Sequence, residues 1–319
     1  MVNPRVSDLP APPPGKTGWP WTEGCDPLPP AMPDGSPWPR ITVVTPSFDQ
    51  GRYIEQTIRS VLLQGYPDLE YLVIDGGSRD GTVEVIGKYA PWLAHWVSEQ
   101  DEGQSHAINK GMRRATGAVA AYVNSDDYYL PGALRAAAEA LGRERDAAMV
   151  YGDCDGVDEG GARTGGLPAA DFDLEAMLRW FHGIPQAAVF FRAAAARELG
   201  WFDQSLHYVM DYDLWLRLGM RYRLARLPLA LAAMRTHEGS KTTSQRAAFN
   251  ERFRRERFAV KLKALRDPAL PRRLRSRRSS MLRMFAWKLM VECLKNGDVR
   301  EAAHFMIQII RTTRVADDE

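Results

Sequence analysis

Gly117-Ala118-Val119-Ala120-Ala121-Tyr122-Val123 leads directly into Asn124-Ser125-Asp126-Asp127-Tyr128-Tyr129-Leu130-Pro131-Gly132, so a small apolar run ends in two adjacent carboxylates. The run reads as a buried strand, and the polar residues after it as the turn before a helix. Like charges side by side repel unless a cation or hydrogen-bond donors offset them, and open α/β sheets bind ligands at the carboxyl ends of their strands. Oxygen ligands in that place suit Mg²⁺ or Mn²⁺ carrying a diphosphate. The plainer alternative is a turn in which Pro131 opens the next helix and one aspartate caps it. On this stretch alone both readings stay open.

Working upstream, strands and helices alternate. Ile41-Thr42-Val43-Val44 is a β-branched run that exits through Thr45-Pro46-Ser47-Phe48, after which Ile54, Ile58, Val61 and Leu62 recur at helical spacing. Tyr71-Leu72-Val73-Ile74 runs into the glycine-rich loop Asp75-Gly76-Gly77-Ser78-Arg79-Asp80-Gly81-Thr82, and Val83, Ile86 and Tyr89 mark the helix behind it. His95-Trp96-Val97-Ser98 and a helix over 107–115 complete the series. The fold class this predicts is α/β, a mainly parallel sheet flanked by helices, with the segments ending at Ser47, Asp75 and Asp126 gathered on one edge.

Downstream the pattern becomes α+β. An alanine-rich helix over 134–141 precedes a strand at 148–151 and a hairpin across 155–164 that turns at Gly160-Gly161. A strand at 187–191, a helix at 212–218 and two short strands at 224–227 and 231–234 follow. Beyond 245 the pattern is helical, with a stop and restart at Asn296-Gly297-Asp298. The expected organisation is a Pro/Trp-rich extended arm over 1–39, an α/β domain over 40–245 and a basic helical C-terminal region over 246–319. Trp19, Trp21 and Trp38 in the arm predict that its latter part packs along the domain, since free linkers rarely carry such rings.

Composition narrows the function classes. The 319 residues are 45% hydrophobic with a net charge of +2, but acids gather between Asp49 and Asp213 while arginines crowd 246–283. Cys25, Cys154 and Cys293 lie far apart with no zinc-ligand or disulfide spacing, so a reducing cytoplasm is the expected compartment. No apolar run approaches the roughly 20 residues that span a bilayer, and the N-terminus lacks the apolar core of a signal peptide. Neither a phosphate-binding P-loop nor a Gly-x-Gly-x-x-Gly fingerprint occurs, which weighs against ATPases and dehydrogenases.

Three further positions are candidates, each with a plain alternative. Asp75 at a strand end is placed to accept a hydrogen bond from a nucleobase or ribose, or is a turn aspartate. His237 is a third metal ligand or a loop histidine. Asp211 and Asp213 stand two residues apart, about 200° around a helix, so only one of them faces a site; otherwise Asp211 is an N-cap.

In combination these stretches resemble family 2 glycosyltransferases of the GT-A fold from about Pro39 to Thr243. The likeness rests on Thr45-Pro46-Ser47-Phe48, Val73-Ile74-Asp75-Gly76-Gly77-Ser78, Ala107-Ile108-Asn109-Lys110-Gly111, Asn124-Ser125-Asp126-Asp127, Gly200-Trp201-Phe202-Asp203, Asp211-Tyr212-Asp213-Leu214-Trp215 and His237-Glu238-Gly239-Ser240-Lys241-Thr242, in that order. The resemblance implies inverting, metal-dependent transfer of a sugar from a nucleotide diphosphate, a UDP-sugar first, to a saccharide or lipid-linked acceptor in cell-surface glycan or glycolipid assembly. It implies that Pro46, Ser47 and Phe48 line the nucleobase pocket, that Asp75 holds the base edge and that Lys110 approaches the nucleotide. Ser125 and Asp126 would join the nucleotide contacts, Asp126 at the ribose. Asp127 would bind Mg²⁺ or Mn²⁺, with His237 as a further ligand or diphosphate contact, and Asp211 would be the catalytic base. Many relatives carry a glutamate before that base, where this chain has Met210. The Gln-x-x-Arg-Trp motif of processive synthases is missing, which favours one sugar per encounter. The rivals are a nucleotidyltransferase, whose glycine-rich basic loop after the first strand is absent here, and a non-catalytic sugar-nucleotide or glycan-binding module.

The basic tail asks for an anionic partner. Arg272, Arg273, Arg275, Arg277, Arg278 and Arg283 adjoin an apolar, Trp-bearing helix, the composition of a peripheral membrane anchor. The alternative is that this helix packs on the one from 298 to 311, or pairs two chains as a homodimer. No nucleic-acid partner is expected.

Overall fold

The computed structural model describes residues 4–180, 183–240 and 246–316. Lys241 and Thr242, part of the last motif above, lie outside the described residues. The first half alternates as its sequence periodicity dictates: β1 (Ile41–Ser47), α1 (Ile54–Leu62), β2 (Leu69–Asp75), α2 (Thr82–Tyr89), β3 (His95–Ser98), α3 (Gln104–Arg114) and β4 (Val119–Tyr122). These four strands are parallel, in the order β3-β2-β1-β4, and β1 is buried along its whole length.

Beyond β4 the sheet changes character. A two-residue strand, β5 (Tyr128–Tyr129), and helix α4 (Ala133–Arg143) are followed by the long β6 (Ala147–Val157), its hairpin partner β7 (Arg163–Leu167), α5 (Leu174–Trp180), β8 (Val189–Arg192), α6 (Ala193–Glu198), α7 (Met210–Gly219) and β9 (Arg223–Arg235). The order continues from β4 through β8, β6 and β9 to β5, with β8 antiparallel to both neighbours, β6 parallel to β9 and β5 antiparallel to β9. The parallel character expected of the sheet therefore belongs to its first half and to the β6–β9 pair.

Two local expectations are corrected. β9 is one strand of 13 residues, not two short ones. Its ladder with β6 jumps from Tyr151↔Arg226 to Asp153↔Ala230, so Pro228 sits in a bulge that needs no ladder hydrogen bond from it. Gly152 faces that bulge, where a Cβ would run into the Leu229 carbonyl. In the second case, α4 starts at Ala133 after a left-handed Gly132, so neither Pro131 nor an aspartate opens it.

The arm lies against α1. Arg59 is fully buried and donates from its guanidinium to the carbonyls of Pro10, Pro20 and Trp21 at 2.7–3.0 Å and to the Tyr89 hydroxyl at 3.0 Å. Trp19 Nε1 donates to the Tyr129 carbonyl at 2.8 Å, tying the arm to the strand beside the carboxylate pair. Arg59→Met should cost about 3–5 kcal/mol, because buried carbonyls lose a charged donor. Chemical denaturation measures that cost, and limited proteolysis should then clip residues 10–21 faster.

The C-terminal helices, α8 (Arg246–Arg266), α9 (Arg272–Arg275), α10 (Arg278–Lys295) and α11 (Val299–Ala316), are built into the core. Phe258, Leu265, Phe285 and Phe305 share one apolar cluster with Met177, Leu214 and Trp215 of the sheet domain. Lys261 is buried on α8 with its ammonium 3.5 Å from the centre of the Phe285 ring.

Candidate active site

The geometry follows from strand pairing. β5 begins immediately after Asp127 and pairs with Ala232 and Ala233 near the end of β9, so the carboxylate pair meets Arg235 and His237 across more than a hundred residues of chain. The Arg235 backbone N–H donates to Asp127 Oδ1 at 2.9 Å. Its guanidinium donates to the Asp126 carbonyl at 3.0 Å and to the Asp158 and Glu159 carbonyls of the β6–β7 turn, and it lies against the Tyr53 and Tyr128 rings. Arg235 thus clamps the turn that carries both aspartates.

The two carboxylates part ways. Asp127 is buried, turned toward Arg235 and Asn124 Nδ2, and burial together with the Asp126 charge pushes its carboxyl well above the usual range. Asp126 Oδ2 lies 3.1 Å from His237 Nε2, and the imidazole is backed by the Tyr53 ring at 4.6 Å. The carboxylate beside His237 is thus that of Asp126, while the β9 backbone holds Asp127 Oδ1. Among the described residues no group of three or more His, Cys, Asp or Glu side chains could hold a metal ion. One carboxylate and one imidazole still suit a cation that arrives with phosphate oxygens and keeps several waters.

Asp126, Asp127 and Arg235 open onto a cavity of about 670 Å³ whose wall also includes Pro46, Ser47, Phe48, Ser125 and Asp211. The loop after β1 supplies the first three. Ser47 Oγ is buried there with no hydrogen-bond partner among the described residues, and Phe48 is 61% exposed at the mouth. Gly76 lets the wall close, since a Cβ on it would stand 2.7 Å from Asp101 Oδ2 and 3.2 Å from the Phe48 ring.

Asp211 is the second residue of α7, whose N-cap is Val209, so it is not a cap. It lines the cavity, while Asp213 turns away to Arg217 at 2.7 Å and Lys263 at 3.0 Å. Tyr122 stands between the halves of the site. Burial raises its hydroxyl pKa, and the charges of Asp211 and Asp127 push in the same direction.

Two expected contacts are not brought to that wall. Lys110 is ion-paired with Glu99 at the end of β3, and this acidic neighbour holds its ammonium off the cavity. Asp75 is fully buried and accepts hydrogen bonds from the Gly77 and Ser78 N–H groups and from the Ser78 and Ser98 hydroxyls. These four bonds shape the loop behind Gly76, and Asp75 itself is not part of the cavity wall.

Several wall residues escaped the sequence reading. Asp101, Gln104, Gln186, His207 and Tyr208 all line the cavity. Asp101 sits just past β3, at a strand end like the other loops, and burial raises its carboxyl pKa. Asn124 is held by Gln104 at 2.6 Å and by Gln186 at 3.1 Å, which steadies the turn before Asp126. From α8, Glu256 accepts from the His207 and Tyr208 N–H groups at 2.7–3.1 Å and so sets the wall segment leading to Asp211. Glu256→Ala should cost about 2–3 kcal/mol, because two backbone N–H groups lose a charged acceptor, and chemical denaturation measures that cost.

The family model "Glycosyl transferase family 2" matches residues 42–198. An uncharacterized glycosyltransferase of Mycobacterium tuberculosis is 30% identical over 188 residues, covering 57% of this chain and 70% of that protein. Staphylococcus aureus TarS 1-349 in complex with UDP-GlcNAc superimposes with a TM-score of 0.58 at 16% identity, covering 83% of this chain and 90% of that one. The mannosyltransferase PcManGT from Pyrobaculum calidifontis, in complex with GDP-Man and Mn²⁺, superimposes with a TM-score of 0.59 at 20% identity, covering 90% and 86%. Those two likenesses show that the fold is of the GT-A glycosyltransferase type. The sequence matches reach further than fold, and by them this chain belongs to glycosyl transferase family 2.

Proposed function

We propose that the cavity binds a nucleotide-diphosphate sugar, a UDP-sugar first, and that Asp211 accepts the proton of an acceptor hydroxyl as its oxygen attacks the anomeric carbon. The new carbon–oxygen bond forms on the face opposite the departing diphosphate, so the configuration inverts, and the nucleoside diphosphate leaves with the electron pair of the broken bond. The observation that carries this reading is that Asp126, which stands beside His237, and Asp211 line one cavity, with Tyr122 also on its wall.

Ser47 and Phe48 suit the nucleobase end, one with an unpartnered buried hydroxyl and the other with an exposed ring face. Asp126 and His237 would hold Mg²⁺ or Mn²⁺ together with the donor's phosphate oxygens, and what such a cation supplies is neutralisation of charge on the departing diphosphate. Asp127 and Arg235 position that pair. The TarS complex with UDP-GlcNAc and the PcManGT complex with GDP-Man and Mn²⁺ support a nucleotide-sugar donor, and the second supports a divalent cation.

The test is donor hydrolysis by the purified protein with UDP- and GDP-sugars, with and without Mn²⁺. Cation-dependent release of nucleoside diphosphate from the UDP-sugars is the expected result. Release that ignores the cation would contradict the role given to Asp126 and His237.

A further inference from the structure

We propose that the α10–α11 hairpin is a docking surface for a lipid bilayer rich in anionic headgroups. No helix among the described residues is long and apolar enough to cross a membrane, so the contact is with the surface.

The hairpin has two apolar sides, and only one is used. Leu282, Phe285 and Leu289 of α10 and Phe305 of α11 are buried in the core. On α10, Trp287 and Leu294 remain 57% and 52% exposed, and on α11, Val299, Met306 and Ile310 remain 69%, 53% and 50% exposed. At about 100° per residue, Arg283, Trp287 and Leu294 fall within an arc of about 40°, and Val299, Ala303, Met306 and Ile310 within about 60°. Leu294 and Val299 flank the turn at Asn296-Gly297-Asp298, so the two stripes meet at the hairpin tip. The internal packing expected of these helices is therefore present and still leaves a second oily stripe facing outward.

Charge decides what covers that stripe. Residues 246–319 hold 19 Lys and Arg against 9 Asp and Glu, whereas residues 1–245 hold 23 against 31. Arg272 and Arg273 are exposed just before α10, Arg283 lies on the stripe itself, and none of the three has an acidic partner among the described residues. A second copy of this chain would bring two sets of Arg272, Arg273 and Arg283 to one interface with no acidic partner for them, and the repulsion opposes that pairing. Nucleic acid would use the arginines and leave the apolar stripe in water. An anionic bilayer answers both features: headgroups meet the arginines, and Trp287 with its aliphatic neighbours enters the boundary between headgroups and acyl chains.

The inference is independent of the sugar-transfer reading, and its test needs no activity. The full chain is sedimented with phosphatidylcholine vesicles and with vesicles in which part of that lipid is replaced by phosphatidylglycerol. Binding should require phosphatidylglycerol and fade as salt is raised. Each arginine near an anionic surface is worth about fivefold in affinity, so the triple change Arg272→Ala, Arg273→Ala, Arg283→Ala should weaken binding ~100-fold. Trp287→Ser with Met306→Ser should weaken it without altering its salt dependence. All five positions are at or near the surface, and an unchanged melting temperature verifies the fold of each variant. Equal indifference to both vesicle types would overturn the proposal, as would binding that survives the arginine changes. So would a dimer that forms without lipid and is broken by the Trp287→Ser, Met306→Ser pair.

Discussion

Asp211→Asn should lower turnover by ~10² to 10⁴ while leaving nucleotide affinity unchanged, since only the proton acceptor is lost. The substitution is nearly isosteric. The Asp211 carboxylate accepts from the Tyr212 N–H at 2.7 Å, and an asparagine oxygen can keep that bond. Position on the second residue of α7 is likewise retained, so a loss of activity would report chemistry and not a displaced helix. Turnover measured beside a UDP titration separates the two possibilities. If Asp211→Asn loses nucleotide binding in proportion to turnover, Asp211 belongs to the donor site and the proton acceptor lies elsewhere on the cavity wall.

The second large effect is expected at Asp126. Asp126→Ala should weaken UDP binding in the presence of Mn²⁺ by ~10-fold to 100-fold, the ~1.5 to 3 kcal/mol of a charge-assisted contact, and should leave binding without Mn²⁺ nearly unaltered. Asp127→Asn should behave differently. Its Oδ1 accepts the Arg235 N–H inside the fold, so that change should act on the positioning of the turn and on melting temperature. Binding that shows no cation dependence in either the wild type or Asp126→Ala would move the diphosphate away from the Asp126–His237 pair.

Much of this arrangement is local and therefore legible in the chain. The β-branched run at 41–44 and the helical stripe of Ile54, Ile58, Val61 and Leu62 each carry their own periodicity, and the structure places β1 and α1 there. The carboxylate pair and Asp211 were readable for a related reason: each stands at the end or beginning of an element whose pattern is plain.

What was not legible depends on partners far away in sequence. Nothing near Asp75 says that Ser98 fills its acceptor site, and nothing near Lys110 says that Glu99 claims its ammonium. The place of Asp126 beside His237 follows from β5 pairing with β9, a register set across more than a hundred residues. Glu256 lies on a helix whose basic composition draws attention to its arginines, yet its carboxylate sets the wall beside Asp211. Pro228 falls between the two short strands expected at 224–227 and 231–234. Proline ordinarily ends a strand, and here a bulge opposite Gly152 absorbs it.

The central claim is that one cavity holds donor and base together. A crystal structure of the protein with a non-hydrolysable UDP-sugar and Mn²⁺ tests it most directly. The account predicts the pyrimidine against Phe48 and Ser47, the diphosphate at Asp126 and His237, and the Asp211 carboxylate on the face of the anomeric carbon opposite the diphosphate. A nucleotide seated elsewhere, such as the smaller cavity lined by Met32, Leu141 and Arg192, would contradict it. So would a complex in which Asp211 lies on the same side of the sugar as the diphosphate.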